Sequence, residues 1–379
     1  MIYRDFQGEQ ISQFAMGMMR LPVIDGDDGR IDEPAATEMV DYALAHGVNY
    51  FDTAWGYHNG TSEAFAGRAL AARHPRESFN LATKFPGYDV ANFGHVAEIF
   101  EKQLENCQVD HFDFYLAHNI CEVNIDAYLD DERYGTITYL REQKKQGRIR
   151  HLGFSAHGKL DVMRRFLEAY GECMEFCQLQ VNYLDWTFQE AKEKVALCTE
   201  YGIPVWVMEP LRGGQLCRLS ERQAAILEAA CPGRSQAAWA IRFVQSVPEV
   251  TTVLCGSSTL EQMAENIALF EEECALTEAD RAALDAVARD MTSTNVLPCT
   301  ACRYCMSHCP LELDIPRLLE LYNEHKLTGG GFIAPMALAA IPADKQPSSC
   351  IGCGSCSAVC PQQIDIPGAL ADFAKMLEG

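Results

Sequence analysis

The sequence contains no run of 18 or more apolar residues, so it offers no membrane-spanning helix. Basic residues are scarce: 31 Lys and Arg stand against 53 Asp and Glu, a formal net charge of −22. Such a surface repels phosphate backbones and anionic lipid, and neither nucleic acid nor membrane is an expected partner. No GxGxxG follows the first apolar run, so the glycine-rich turn of an open, doubly wound dinucleotide fold is missing. The opening MIYRDFQGEQ lacks the charged and apolar regions of a secretory leader, and a cytoplasmic location is expected. An odd total of 17 cysteines argues against a disulfide framework. Nine of these, from Cys107 to Cys274, follow no motif and read as buried, reduced thiols.

What is present is a repeating pattern. From residue 1 to about 291, apolar runs alternate with stretches of helical period. Eight runs read as strands: MGMMRL (16–21), VNYFDTA (48–54), FNLATKF (79–85), FDFYLAH (112–118), IRHLGFS (149–155), CQLQVNY (177–183), PVWVMEPL (204–211) and VTTVLCG (250–256). They are short, continuous and apolar, as strands buried on both faces must be. Several intervening amphipathic stretches end at a glycine suited to a helix C-cap, among them Gly47 and Gly202. This α/β pattern predicts a (β/α)8 TIM barrel over residues 1–291. Upstream, YRDF and ISQFA predict a small hairpin, and 277–290 a last helix with Thr277 as N-cap. The pattern breaks at TNVLP, and residues 292–379 are expected to form a small, mainly α-helical iron–sulfur domain.

That second domain holds the other eight cysteines. CTACRYCMSHCP carries Cys299, Cys302, Cys305 and Cys309; CIGCGSCSAVCP carries Cys350, Cys353, Cys356 and Cys360. Both read C-x2-C-x2-C-x3-C-P, offset by 51 residues (350 − 299), and the repeat continues to pair Asp314 with Asp365 and Pro316 with Pro367. Two-residue gaps let one tight loop present three thiolates to three corners of an iron–sulfur cube, while the cysteine before proline ligates the other cluster. Two [4Fe–4S] clusters are therefore expected, one on Cys299, Cys302, Cys305 and Cys360, the other on Cys350, Cys353, Cys356 and Cys309. Zinc sites would instead pair two C-x2-C knuckles across a spacer. With 40 residues between Cys309 and Cys350, the segment resembles the α-helical ferredoxin domains in iron–sulfur subunits of multi-component oxidoreductases. The eight residues from Met291 to Pro298 reach at most about 29 Å, so the first cysteine loop must start near the last barrel helix. The domain is expected on the C-terminal rim of the barrel strands. Its stretch 328–340, with Phe332, Ile333, Met336 and Leu338, would serve as a lid or fill the small domain's own core.

Barrels keep their chemistry at the C-terminal ends of strands. There the sequence places Asp52 and Tyr57 (FDTAWGYHNG), Lys84 (LATKF) and His118 (FYLAH). Singly, such a lysine is a solvated charge, such a histidine a satisfied polar group and such a tyrosine a packing residue. Together, at the ends of the second, third and fourth strands, they point to proton chemistry. On these residues the barrel resembles the aldo-keto reductase superfamily, whose Asp/Tyr/Lys/His tetrad maps to Asp52, Tyr57, Lys84 and His118. The resemblance implies that Tyr57 donates a proton to a carbonyl, that Lys84 lowers its pKa while paired to Asp52, and that His118 orients the carbonyl.

It also implies a nicotinamide site. Ser155 (GFSAHG) and Gln180 (CQLQVNY) take the carboxamide positions, and Met208 stands where an aromatic ring often stacks. Pro210, Leu211, Arg212 and Gly213 (EPLRGG) would wrap the pyrophosphate. Gly256, Ser257, Ser258, Gln262, Glu265 and Asn266 (CGSSTLEQMAEN) would hold the adenosine phosphate. Ala156 departs from the family's Ser-Asn pair, and Gly256 and Gln262 replace the Lys and Arg that many members aim at a 2′-phosphate. The last segment is similar to the potassium-channel β-subunit branch, which holds NADP(H), so NADP(H) is expected over NAD(H).

The implied activity is an NAD(P)H-linked oxidoreductase on a small carbonyl or alcohol substrate, with the clusters for electron transfer. Hydride carries two electrons and a cluster one, and no flavin motif is present. A redox partner protein, a flavoprotein or a ferredoxin, is one way to connect them; structural clusters are another. A non-enzymatic redox-sensing or regulatory subunit is the alternative. Trp55, Phe85 and Trp186 are expected around the substrate.

Overall fold

In the computed structural model, residues 1–121, 124–273, 275–293, 296–328, 334–335, 338 and 341–377 are described. β1 (Tyr3–Phe6) and β2 (Glu9–Ser12) form an antiparallel hairpin. Its turn residues Gln7 and Gly8 are both left-handed, the twist that a two-residue hairpin needs. Eight parallel strands follow: β3 (Phe14–Gly17), β4 (Tyr50–Asp52), β5 (Asn80–Phe85), β6 (Phe112–Ile120), β7 (Ile149–Ala156), β8 (Cys177–Gln180), β9 (Val205–Met208) and β10 (Val250–Gly256). They pair in chain order and close through β10 onto β3 as a barrel. Every residue of β6 is buried, Asp113 included, whose carboxylate accepts from the Leu81 N–H and pairs with Arg76.

Two strand ends differ from the sequence expectation. β3 starts at Phe14, because Val253, Leu254, Cys255 and Gly256 of β10 pair with Phe14 to Gly17. β9 stops at Met208, because Glu209 is left-handed (φ 56°) and turns the chain out of the ladder.

The barrel's inner cluster includes Phe6, Tyr50, Phe114, Phe176 and Trp206. Phe6 meets Trp206 edge-on with centroids 4.9 Å apart, so the hairpin stoppers the N-terminal end and leaves the opposite end for chemistry. Near that floor, burial alone would raise Glu175, but hydrogen bonds from His151, Lys144 and the Leu152 N–H outweigh it and hold the carboxyl at about 2. A depressed folded pKa stabilises above the ordinary value of 4.5, and that stability is lost as pH falls towards 2. Glu175→Gln is accordingly expected to flatten the acid limb of the stability profile, measured as urea midpoint against pH.

In the C-terminal half the repeat becomes visible as structure. Helices Ile315–Thr328 and Ile366–Leu377 start 51 residues apart (366 − 315). Asp314 and Asp365 cap them, accepting from the N–H groups of Arg317 and Gly368. Leu319 and Tyr322 of the first meet their repeat counterparts Leu370 and Phe373 in a separate core. Leu338 packs in that core, whereas Phe332, Ile333 and Met336 lie outside the described residues. This half sits on the C-terminal rim of the barrel. Arg20 donates to the Thr300 carbonyl at 3.0 Å, and Gln362 donates to Gln180 at 2.8 Å. Gly213 is needed at this seam: its φ is +62°, and a Cβ there would run into the Thr300 carbonyl. No helix among the described residues is long and apolar enough to cross a membrane.

Candidate active site and cysteine cavities

β4, β5 and β6 are neighbours in the barrel, so Asp52, Lys84 and His118 come to one end side by side. Lys84 and Asp52 are buried, and the ammonium donates to Asp52 Oδ1 at 2.6 Å and to the Thr53 carbonyl at 2.8 Å. The Tyr57 hydroxyl lies 3.4 Å from the same nitrogen. Tyr57 is placed by a turn in which His58, Asn59 and Gly60 are all left-handed. The buried His58 ring pins that turn: Nε2 accepts from the Leu21 N–H at 3.2 Å, which puts the proton on Nδ1 facing the Asp28 carbonyl at 2.9 Å. The geometry thus brings all four residues of the expected tetrad together.

Burial dominates their electrostatics. The Tyr57 phenol is held well above 10 by burial, with Tyr304, Asp52 and Glu209 adding to it. The Lys84 ammonium beside it is shared with Asp52 at 2.6 Å. Burial pushes His118 well below 6.5, helped by Lys84 and His157, so its imidazole is neutral. His118 Nδ1 is buried without a protein partner; Nε2 lies 3.3 Å from the hydroxyl of Tyr304, a residue of the first cysteine loop.

From Asp52 and Tyr57 a cleft of about 660 Å³ runs outward, within the range of small-ligand and cofactor pockets. Of the expected nucleotide residues, Met208, Pro210, Leu211, Gly213, Gly256, Ser258, Gln262, Glu265 and Asn266 line it. Gly17 and Gly256 end β3 and β10 in register, leaving no side chain to narrow it there. Glu209 lines it too, with a buried Oε2 that no protein group satisfies. The bare backbone and the side chains of Arg20 and Arg218 suit the phosphates of a dinucleotide, while the Glu209 carboxylate suits a hydroxyl or amide donor.

Four expected residues do not line this cleft and have partners within the protein. Ser155 Oγ accepts from the Asn119 N–H at 2.8 Å. The Gln180 amide donates to Asp185 at 2.7 Å and accepts from Gln362. Ser257 bonds to Asn266 at 3.1 Å. Arg212 is buried in an ion pair with Asp185 at 3.1 Å. Asp185→Ala would leave the guanidinium buried without its carboxylate, with an expected loss of about 3–5 kcal/mol read from the thermal or urea midpoint. Gln178 lines the cleft instead of Gln180; the two share a strand face, so the period of two could have found it. Phe85 and Trp186 pack edge-on against Phe93 and Phe243.

The cysteines line two cavities, and the motifs cross. Cys299, Cys302, Cys305 and Cys360 line one with Leu319, Ile364 and Ile366. Cys309, Cys350, Cys353 and Cys356 line the other with Leu313, Ile315 and Leu370. Ala301, Arg303 and Glu312 in the first repeat are left-handed, as are Gly352, Gly354 and Gln363 in the second, each 51 residues on. Burial raises the Cys299 and Cys302 thiols to about 11 and about 12, and neighbouring cysteines add to it. Crowded thiols in apolar walls ionise only when a cation replaces their protons, which is what iron supplies. Among the described residues, no three His, Cys, Asp or Glu converge closely enough to hold one ion. The thiols surround a space and suit a polynuclear cluster.

Residues 14–289 match the aldo/keto reductase family, and residues 298–364 match a 4Fe-4S dicluster domain. The chain is 27% identical to probable aldo-keto reductase 1 of Glycine max, over 55% of this chain and 58% of that one. It is 28% identical to the NADH-specific methylglyoxal reductase of Escherichia coli, over 50% and 60% respectively. It therefore spans less than two thirds of either relative's length. An aldo-keto reductase from Bacillus halodurans in its holo form superposes with a TM-score of 0.60 at 26% identity, covering 75% of this chain and 95% of that one. The chain belongs to the aldo/keto reductase family of oxidoreductases, its barrel followed by a 4Fe-4S dicluster ferredoxin domain.

Proposed function

We propose that the chain interconverts small carbonyl compounds and alcohols with NADP(H), and that its two cysteine sets hold one [4Fe–4S] cluster each. The carrying observation is the buried Lys84, 2.6 Å from Asp52 and 3.4 Å from the Tyr57 hydroxyl, at the inner end of the long cleft. A nicotinamide held in the cleft lined by Met208, Pro210 and Gly256 would supply the hydride for the carbonyl carbon, or accept it from the alcohol. The chain's residues handle the proton. Tyr57 releases its proton to the substrate oxygen as that oxygen becomes an alkoxide, and the phenolate left behind sits beside Lys84. In the reverse direction the phenolate takes the proton. Neutral His118 fixes the oxygen through Nε2. Asp52 keeps Lys84 charged in a site whose burial alone would drive its proton off.

The test is a screen of aldehydes and ketones with NADPH and NADH, using chain prepared without oxygen and assayed for iron and acid-labile sulfide. Absence of turnover with either nucleotide sinks the enzymatic reading; stoichiometric zinc without sulfide sinks the clusters. NADP(H) is assigned over NAD(H) on Arg218, an exposed cation lining the cleft with Ser258 and Gln262. Arg218→Ala is expected to weaken NADPH binding about tenfold and change NADH affinity less than about twofold. An equal effect on both nucleotides by fluorescence titration would remove the assignment.

The second cysteine set lies at the surface, with Cys353 exposed and Ile351 66% exposed beside it. A redox partner protein is proposed to dock there: a flavoprotein would convert between one-electron and two-electron steps, whereas a ferredoxin would exchange single electrons with the surface cluster. A second reading, a redox-sensing subunit without turnover, is favoured by one observation: the Tyr304 hydroxyl already occupies the face of His118 that a carbonyl would use.

A further inference from the structure

The two cysteine loops are copies, so their differences are informative. The backbone is shared, down to left-handed residues at 301 and 352 and at 303 and 354. At the surface the loop reads Gly354-Ser355, with Ser355 exposed. Against the barrel it reads Arg303-Tyr304. Glycine suits position 303 better, because a Cβ in that left-handed conformation crowds the following carbonyl. The loop can be built without a tyrosine, so Tyr304 answers to what it faces.

It faces the tetrad. Its ring stacks on Tyr88 at 5.6 Å and 23°, and its hydroxyl lies 3.3 Å from His118 Nε2. His118 in turn stands edge-on to both Tyr57, at 6.5 Å, and Tyr88, at 5.4 Å. The nucleotide cleft reaches Asp52 and Tyr57 but is not lined by His118, Tyr88 or Tyr304. The far side of the proton donor is therefore filled by the iron–sulfur half.

We infer that Tyr304 is the wall of the carbonyl site, a specificity-determining residue that the cysteine loop lends to the barrel. This rests on reading Tyr57 and His118 as the pair that handles the carbonyl oxygen. That oxygen must take the place of the Tyr304 hydroxyl on His118. The ring, stacked on Tyr88 and tied to Cys302 and Cys305 on either side, then stands against the substituents of the carbonyl carbon. The site accepts short aliphatic aldehydes and rejects aryl aldehydes.

The test compares full-length, anaerobically prepared wild type with Tyr304→Ser, the residue that the companion loop uses, and with Tyr304→Phe. For propanal and 4-nitrobenzaldehyde, kcat and KM are measured separately, alongside iron content and nucleotide affinity. Tyr304→Ser is expected to keep its iron and nucleotide affinity and to raise the aryl-to-propanal ratio of kcat/KM at least about tenfold, through KM for the aryl substrate. Tyr304→Phe should keep the wild-type ratio within about twofold, since the ring sets the size limit. An unchanged ratio in an iron-replete Tyr304→Ser overturns the inference. If that variant loses iron, Tyr88→Ala, which removes the stack from the barrel side, must move the ratio in the same direction, and no movement overturns it equally. Turnover gained only in Tyr304→Ser supports the wall in its tightest form. Turnover in no variant overturns the carbonyl reading and the wall with it, a fully active Tyr57→Phe overturns the tetrad and the wall that rests on it, and an unchanged ratio beside an inactive Tyr57→Phe overturns the wall alone.

Discussion

Tyr57→Phe is expected to lower kcat for carbonyl reduction by about 10²–10⁴-fold, the usual contribution of a positioned acid. The substitution removes one oxygen, at 3.4 Å from the Lys84 ammonium, and leaves the ring among its neighbours. The proton is transferred only as the substrate oxygen gains charge, so the loss belongs to the transition state and KM should move little. Nucleotide affinity should change less than about twofold, because most of the cleft wall lies beyond the phenol. Stability should be level or slightly higher, since a buried hydroxyl is exchanged for a hydrogen. Wild-type turnover in Tyr57→Phe would remove the tetrad from the mechanism. Loss of nucleotide binding in the same variant would show that Tyr57 holds the nucleotide instead.

Much of this site could be read from the chain because its residues interrupt apolar strands. Lys84 in LATKF and Asp52 in VNYFDTA have no reason to sit inside buried runs unless they meet each other. The barrel was equally legible: strands buried on both faces leave continuous apolar runs, and eight of them need closure. What escaped depends on contacts between distant segments. Gln178 and Gln180 share one strand face, and only Asp185 and Gln362 decide which of them is withdrawn from the cleft. Arg212 looked like a phosphate ligand in EPLRGG, yet Asp185, 27 residues earlier, claims it. Tyr304 was invisible for another reason. Inside C-x2-C-x2-C the intervening residues read as spacers, and only the docked fold shows one of them touching His118.

The crossing of the cysteine motifs predicts the largest change in composition. Wild type should carry about eight irons, four per cluster. Cys309→Ala and Cys360→Ala should each fall to about four, because each removes the fourth ligand of a different cluster. Single variants cannot say which cluster is lost, but pairs can. Cys309 lines the cavity of Cys350, Cys353 and Cys356, so Cys309→Ala with Cys350→Ala strikes one cluster twice and should still retain about four irons. Cys309→Ala with Cys305→Ala strikes both cavities and should retain almost none. Ligation within each motif reverses the two outcomes, so iron and sulfide analysis of the pair decides between them. The variants also separate the halves functionally. Cys360 shares its cavity with Cys302 and Cys305, which flank Tyr304. Losing that cluster should loosen the ring against Tyr88 and His118 and relax the preference for small aldehydes. Losing the surface cluster through Cys309→Ala should leave that preference intact and reach only the exchange of electrons with a partner.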